Sequence, residues 1–177
     1  MTTLRAYIDL MKLRVVELLV ITTVPAVVLA EGGFPSLSLL AWVLFGGTLA
    51  AGSANAFNMV IESERDKLMK RTAKRPIVTG AVTRTQATIF AIAIGLLSLA
   101  IFYIFTTVLA TVLTAVAIAY YVVIYTIALK PNTSQNIVWG GAAGCMPVLI
   151  GWAAVTNSLT LVPVAFFLVI FFWTPPH

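Results

Sequence analysis

Charge is what this sequence has least of. Lys, Arg, Asp and Glu make up 10% of its 177 residues, against about 25% in a soluble domain. None occurs from Thr85 to Leu129, and none from Pro131 to His177. A water-soluble globule is excluded. The single cysteine, Cys145, rules out an internal disulfide, and the single histidine, His177, leaves too few soft ligands for a zinc site. Alternation is missing too: "TIFAIAIGLLSLAIFYIF" is apolar all round, which excludes the strands of a transmembrane β-barrel. The first residues, "MTTLRAYIDLMKLRVVELLV", carry bases up to Arg14, and no small-residue cleavage site follows them. A cleavable signal peptide is therefore not expected, and the stretch lacks the Arg- and Ser-rich, acid-free character of a transit peptide. The net charge of +5 does not argue for a nucleic-acid partner, because charge asymmetry in so greasy a chain sets orientation in a membrane.

What is there is a series of apolar runs. A membrane-spanning helix takes roughly 20 mostly apolar residues. Breakers and charges divide the chain into six candidates: Val15–Ala30, ended by "EGGFPS"; Leu37–Ile61; two sharing Thr85–Leu129 with a turn at Phe105–Thr107; Asn136–Val155, after a loop "KPNTSQ"; and a sixth from Leu159 onward. The fold class is thus all-α, a multi-pass transmembrane helical bundle forming one domain over 1–177. With alternating spans, all eleven bases fall on one side, in the N-terminal segment, the 62–84 segment and Lys130, while the opposite loops hold only Glu31. The positive-inside rule puts the N-terminus and the 62–84 loop in the cytoplasm of a cell whose plasma membrane holds the chain.

"NMVIESERDKLMKRTAKRP", Asn58 to Pro76, gathers three acids and six bases in 19 residues. A plain cytoplasmic loop resting on anionic membrane lipid accounts for the bases, but acids weaken that attraction. Asn58, Glu62 and Asp66 follow at i, i+4, i+8, one face of a helix if the second span continues past the membrane surface. Gly46, Ala50 and Ala54 extend the stripe with residues small enough for close helix packing, so it faces the bundle interior. Like charges at this spacing repel, and a hard cation such as Mg²⁺, bound by one or two carboxylates, water and phosphates, would offset that. The bases that follow, Lys67, Lys70, Arg71, Lys74 and Arg75, suit phosphate. A diphosphate ester with a greasy tail, a prenyl diphosphate, fits both halves of the segment.

This segment resembles the first acidic motif of the UbiA superfamily of intramembrane prenyltransferases. The longer string "NMVIESERDKLMKRTAKRP", with "LMKLRVVELLVITTVPA", "YTIALKPNTSQNIVWGGAAGCMPVLIGW" and "WTPPH", is similar to one branch, the protoheme IX farnesyltransferases. The resemblance covers nearly the whole chain. It implies a nine-helix fold with a second acidic motif beyond helix six, of which these residues would be the N-terminal portion. Transfer of the farnesyl group of farnesyl diphosphate to a vinyl group of haem b, with Mg²⁺ as cofactor, is the implied reaction. Haem a synthase and the terminal oxidase assembly are the implied neighbours. Glu62 and Asp66 would be metal ligands, Asn58 a supporting one and Glu64 a further candidate, although the family usually has aspartate where Glu62 and Glu64 stand. Arg71 and Arg75 lead the diphosphate candidates, then Lys74, with Lys67 and Lys70 behind.

Other residues stay open between roles. Tyr121 and Tyr125 share a helical face and either line a prenyl pocket, where aromatic faces stabilise a cation, or anchor at the interface. Gln135 and Asn136 cap the fifth helix or bond within the loop. "GGAAG", Gly140–Gly144, suits close helix packing. His177, a lone histidine in a membrane segment, is a candidate haem contact. A UbiA-type enzyme with an aromatic quinone-precursor acceptor, a cation transporter using Glu62 and Asp66, and a non-catalytic assembly subunit are the competing functions.

Overall fold

The computed structural model describes residues 3–173. Seven helices follow one another: α1 (Thr3–Met11), α2 (Leu13–Glu31), α3 (Leu37–Asp66), α4 (Arg84–Phe105), α5 (Val108–Asn132), α6 (Asn136–Thr156) and α7 (Leu161–Trp173). The five helices α2 to α6 are each long and apolar enough to cross a membrane; α7, at 13 residues, is shorter. The expected bundle is therefore present, with α1 as a short helix ahead of the first span.

Local chemistry explains the boundaries. Gly32 takes a left-handed conformation (φ 70°) and closes α2, its N–H reaching the carbonyls of Leu29 and Val28. Ser36 caps α3 by accepting from the Leu39 N–H. Thr83 and Gln86 form a reciprocal capping box at α4. Thr107 caps α5 through the Ala110 N–H, so the turn expected at Phe105–Thr107 falls at Thr106 and Thr107. Two expected boundaries move. Lys130–Asn132 is helical, so the loop before α6 begins at Thr133. Glu62–Asp66 belongs to α3, so the expected 62–84 loop is a run of turns over 67–83.

The apolar faces meet in two main clusters. Ala6 and Leu10 of α1 pack with Ala56, Met59, Val82, Ala87 and Ala91; Val27, Val43, Phe102, Ala110, Ile150 and Ala153 form the other. The most extensive interface joins α3 to α4. It is stitched by Ser53 Oγ donating to the Ala91 carbonyl (2.7 Å) and Ser98 Oγ donating to the Gly46 carbonyl (2.7 Å). Both serines are buried, and each bond joins two helices where no lipid could offer a partner. Small residues make this approach possible. A Cβ on Gly95 would lie 2.7 Å from Ser53 Oγ, so the hydroxyl would have to leave its position. Gly95→Ala is expected to destabilise the bundle by about 1–3 kcal/mol, from overpacking and a lost hydrogen bond. A lowered melting temperature in detergent checks this, and an unchanged one refutes it.

Candidate active site at the end of helix three

The small-residue stripe of α3 is buried along its whole length, from Gly46 through Ala50 and Ala54 to Asn58, Glu62 and Asp66. Six residues from three other parts of the chain converge on its polar end. Arg75, from the turns after α3, pairs with Asp66 Oδ2 through Nη1 and lies 3.6 Å from Glu62 Oε2. Lys130, from the last turn of α5, pairs through Nζ with Glu62 Oε1. Lys12, at the α1–α2 joint, donates through Nζ to Asn58 Oδ1 (3.0 Å). Thr126 of α5 accepts from Asn58 Nδ2 (3.3 Å), and Tyr121 donates through its hydroxyl to Asn55 Oδ1 (3.4 Å). Thr72 donates to the Asp66 carbonyl (2.8 Å), folding the turns back over the end of α3.

Two carboxylates face three cations, and burial makes these pairings consequential. Asp66 is 1% and Glu62 8% exposed in their side chains, so water screens them little. Burial, with the charges of Arg75 and Lys130 adding to it and Glu62 and Asp66 opposing, lowers the Lys12 ammonium to about 8. Asp66 Oδ1 is buried and, among the described residues, makes no hydrogen bond.

Helix α5 delivers its side chains by an irregularity that composition does not announce. Tyr120–Leu129 is π-helical, and Thr126 Oγ1 donates back to the Tyr121 carbonyl five residues earlier (2.9 Å). In an α-helix of 3.6 residues per turn, Lys130 would lie two and a half turns from Tyr121, on the opposite face. A helix bonded i to i+5 takes between four and five residues per turn, so about nine residues make two turns. Tyr121, Thr126 and Lys130 therefore reach one side.

Beneath this polar end lies a cavity of about 390 Å³, within the usual range of ligand pockets. Its wall comes from α2, α3, α5 and α6 with Phe102 of α4, and is apolar except at Asn55, Tyr121 and Tyr125 and at the threonines Thr23 and Thr114. Along α3 it runs from Val43 to Asn55, about 18 Å of helix rise. The Tyr121 and Tyr125 rings tilt against each other at 5.1 Å, and the Lys130 ammonium sits 5.7 Å from the Tyr125 ring centre. Gly140 lets the Tyr125 ring approach: a Cβ there would be 2.4 Å from Tyr125 Cδ2. "GGAAG" thus packs closely at Gly140, while Gly141 and Gly144 belong to the cavity wall.

The structure sorts the expected residues. It brings together Asn58, Glu62, Asp66 and Arg75, and sets Tyr121 and Tyr125 in the cavity wall. Glu64 lies apart, on the exposed side of α3, paired with Lys67 (2.9 Å) and Arg84 (3.7 Å). Among the described residues, no three acidic, histidine or cysteine side chains gather as a metal cluster. Lys67, Lys70, Arg71 and Lys74 are exposed. The helix ends at Asp66, so these four bases do not continue the helical face of the acids. Gln135 and Asn136 bond locally, Asn136 Nδ2 donating to the Thr133 carbonyl (2.6 Å). His177 lies outside the described residues. The sequence reading missed Lys12, Lys130 and Thr126; the signal available was that both lysines fall on the same membrane side as the acids.

Residues 19–177 match the UbiA prenyltransferase family. A protoheme IX farnesyltransferase from Clavibacter michiganensis subsp. michiganensis is 54% identical over 173 residues, 98% of this chain and 56% of that relative. The chain thus spans little more than half the length of the curated relatives it matches. Among solved structures, a UbiA homolog from Archaeoglobus fulgidus bound to GPP and Mg²⁺ superposes with a TM-score of 0.74 at 18% identity, covering 97% of this chain and 62% of that one. The apo structure of a UbiA homolog from Aeropyrum pernix K1 gives 0.72 at 17% identity, with 98% and 61% covered. At such identities the likeness is one of fold.

Proposed function

The chain belongs to the UbiA prenyltransferase family, and from that membership we propose that it supplies the first acidic site and the prenyl cavity of a protoheme IX farnesyltransferase. The reaction moves the farnesyl group of farnesyl diphosphate to a vinyl group of haem b, giving haem o. One observation carries the reading: an apolar cavity about 18 Å long ends at Asn55 and Tyr121, next to a buried set of carboxylates and cations. A molecule with a long greasy tail and a polyanionic head matches both parts. The relative from Clavibacter, named for this activity, supports haem as acceptor over an aromatic quinone precursor. A cation transporter is disfavoured, since its ion site is expected near the bilayer midplane and these carboxylates lie in the last turns of α3.

The donor set fits Mg²⁺. Asn58, Glu62 and Asp66 offer only oxygen, two of them as carboxylates, and Asp66 Oδ1 has an unused lone pair in a buried position. When bound, Mg²⁺ supplies a Lewis acid for the charge that grows on the departing diphosphate. The chain's own residues do the rest. Arg75 and Lys130, which pair with these carboxylates, would meet the phosphates, and their charge stabilises the leaving group as the C1–O bond breaks and its electron pair goes to oxygen. The allylic cation left behind is flanked by the Tyr121 and Tyr125 rings, whose faces favour positive charge. The vinyl π electrons of haem b attack it, and water adds to the resulting cation with loss of a proton. The apolar wall keeps water from the allylic cation before that attack. In this reading the N-terminus and residues 62–84 face the cytoplasm, following the one-sided distribution of bases.

The test is direct. Membranes containing the intact protein, given haem b, farnesyl diphosphate and Mg²⁺, are expected to form haem o, identified by mass, and none when a chelator is added. Prenylation of an aromatic acid with haem left untouched would favour the quinone-precursor acceptor.

A further inference from the structure

Every side chain assigned above to the metal already meets an internal cation, Asn58 through Lys12, Asp66 through Arg75 at Oδ2, and Glu62 through both Arg75 and Lys130, which leaves Asp66 Oδ1 as the one oxygen among them unpaired within the described residues. Three cations against two carboxylates leave the cluster net positive. A lone Mg²⁺ arriving there meets repulsion, whereas Mg²⁺ together with a diphosphate brings acceptors that the cations can take instead. Lysine suits such an exchange, being a mobile point charge on a flexible stem.

Lys12 is the least expected of the three, and its backbone is the most constrained. It is a non-glycine residue in the left-handed region (φ 52°, ψ 58°) at the α1–α2 joint. Such conformations cost free energy and persist only where the surroundings over-determine them. Here α3 fixes the joint with three residues of one face. Gly52 lies so close to Met11 that a Cβ would be 2.6 Å from Met11 Cε, Asn55 Nδ2 donates to the Met11 carbonyl (3.0 Å), and Asn58 takes the Lys12 ammonium. The backbone is thus pinned while the side chain ends at the polar mouth of the cavity.

Resting on the prenyl diphosphate reading, we propose that Lys12 is a further diphosphate-binding residue that serves, before the substrate arrives, as the counter-ion of the metal-ligand set. It holds Asn58 Oδ1 when no diphosphate is bound and passes its hydrogen bond to a phosphate oxygen when the metal and diphosphate enter together. Metal and diphosphate consequently bind as a pair, each weakly without the other.

The experiment is calorimetric titration of the intact protein in detergent, first with Mg²⁺ alone and then with inorganic pyrophosphate at saturating Mg²⁺. Lys12→Met is expected to bind pyrophosphate about tenfold more weakly, the worth of one charge-assisted hydrogen bond. The same variant binds Mg²⁺ alone at least about threefold more tightly, because a competing cation has gone. Lys12→Arg keeps pyrophosphate affinity within about threefold of the parent. The opposite signs are diagnostic, since a residue that merely holds the joint together weakens both ligands or neither. Any other combination in a folded Lys12→Met overturns the proposal. Should that variant fail to fold, Lys12→Gln, which keeps a donor for Asn58 without the charge, carries the same expectations. A parent protein that binds no pyrophosphate with Mg²⁺ overturns the prenyl diphosphate reading itself. A parent that binds it, with an unaffected Lys12→Met, overturns only the role of Lys12.

Discussion

Asp66→Asn is expected to lower Mg²⁺-dependent haem o formation by a factor of about a hundred or more, the scale seen when one group stabilising transition-state charge is removed. The side chain is 1% exposed and shares its charge with Arg75 while its second oxygen is unused. Asparagine keeps the shape and offers an oxygen to Arg75, so the bundle should still fold, but the negative charge that would hold the metal is lost. Glu64→Gln is the matching control. Its carboxylate is 65% exposed and, among the described residues, pairs only with Lys67 and Arg84, so activity should stay within about twofold, as for most exposed pairs. Rates in isolated membranes, with melting temperatures of both variants, provide the check. Undiminished haem o formation by Asp66→Asn would sink the metal-ligand assignment, and a collapse in Glu64→Gln would return that residue to the site.

The second large effect concerns chain length. Gly47 lines the cavity deep along α3, and a Cβ there would meet nothing within 4 Å. Gly47→Phe should therefore be tolerated by the backbone, since glycine is a poor helix former, while its ring occupies the far end of the cavity. Farnesyl transfer is expected to fall at least about tenfold, because a pocket discriminates strongly against groups it can no longer hold. Geranyl diphosphate, one isoprene unit shorter, should be used at least as well as by the parent. Comparing kcat/KM for the two donors decides it. Equal losses for both would mean that the tail does not lie along α3.

The buried polar stripe of α3 was legible because a period of four places Asn58, Glu62 and Asp66 on one line, and Gly46, Ala50 and Ala54 continue it. The span boundaries were legible for a similar reason: Gly32, Ser36, Thr83 and Thr107 act on their immediate neighbours. The basic segment misled. Spacing arguments hold only inside a regular helix, and α3 ends at Asp66, so among the described residues only Arg75 of the five bases turns back to Glu62 and Asp66. Lys12 and Lys130 were invisible as site residues for a different reason. Each lies more than forty positions in sequence from its partner, and each already had a sufficient role in setting orientation. Lys130 carries a further obstacle, because periodicity assigned with 3.6 residues per turn puts it on the wrong face.

That last point has a consequence for the variation this helix can tolerate. Removing one residue between Tyr121 and Leu129 would let the segment tighten into an ordinary α-helix. The hydropathy profile would scarcely change and the span would still cross the bilayer. Everything beyond the deletion would rotate by about eighty degrees relative to Tyr121, carrying the Lys130 ammonium away from Glu62. Two chains with the same greasy helix at the same depth could thus differ in whether their acids are neutralised, and an alignment gap of a single position would be the only trace.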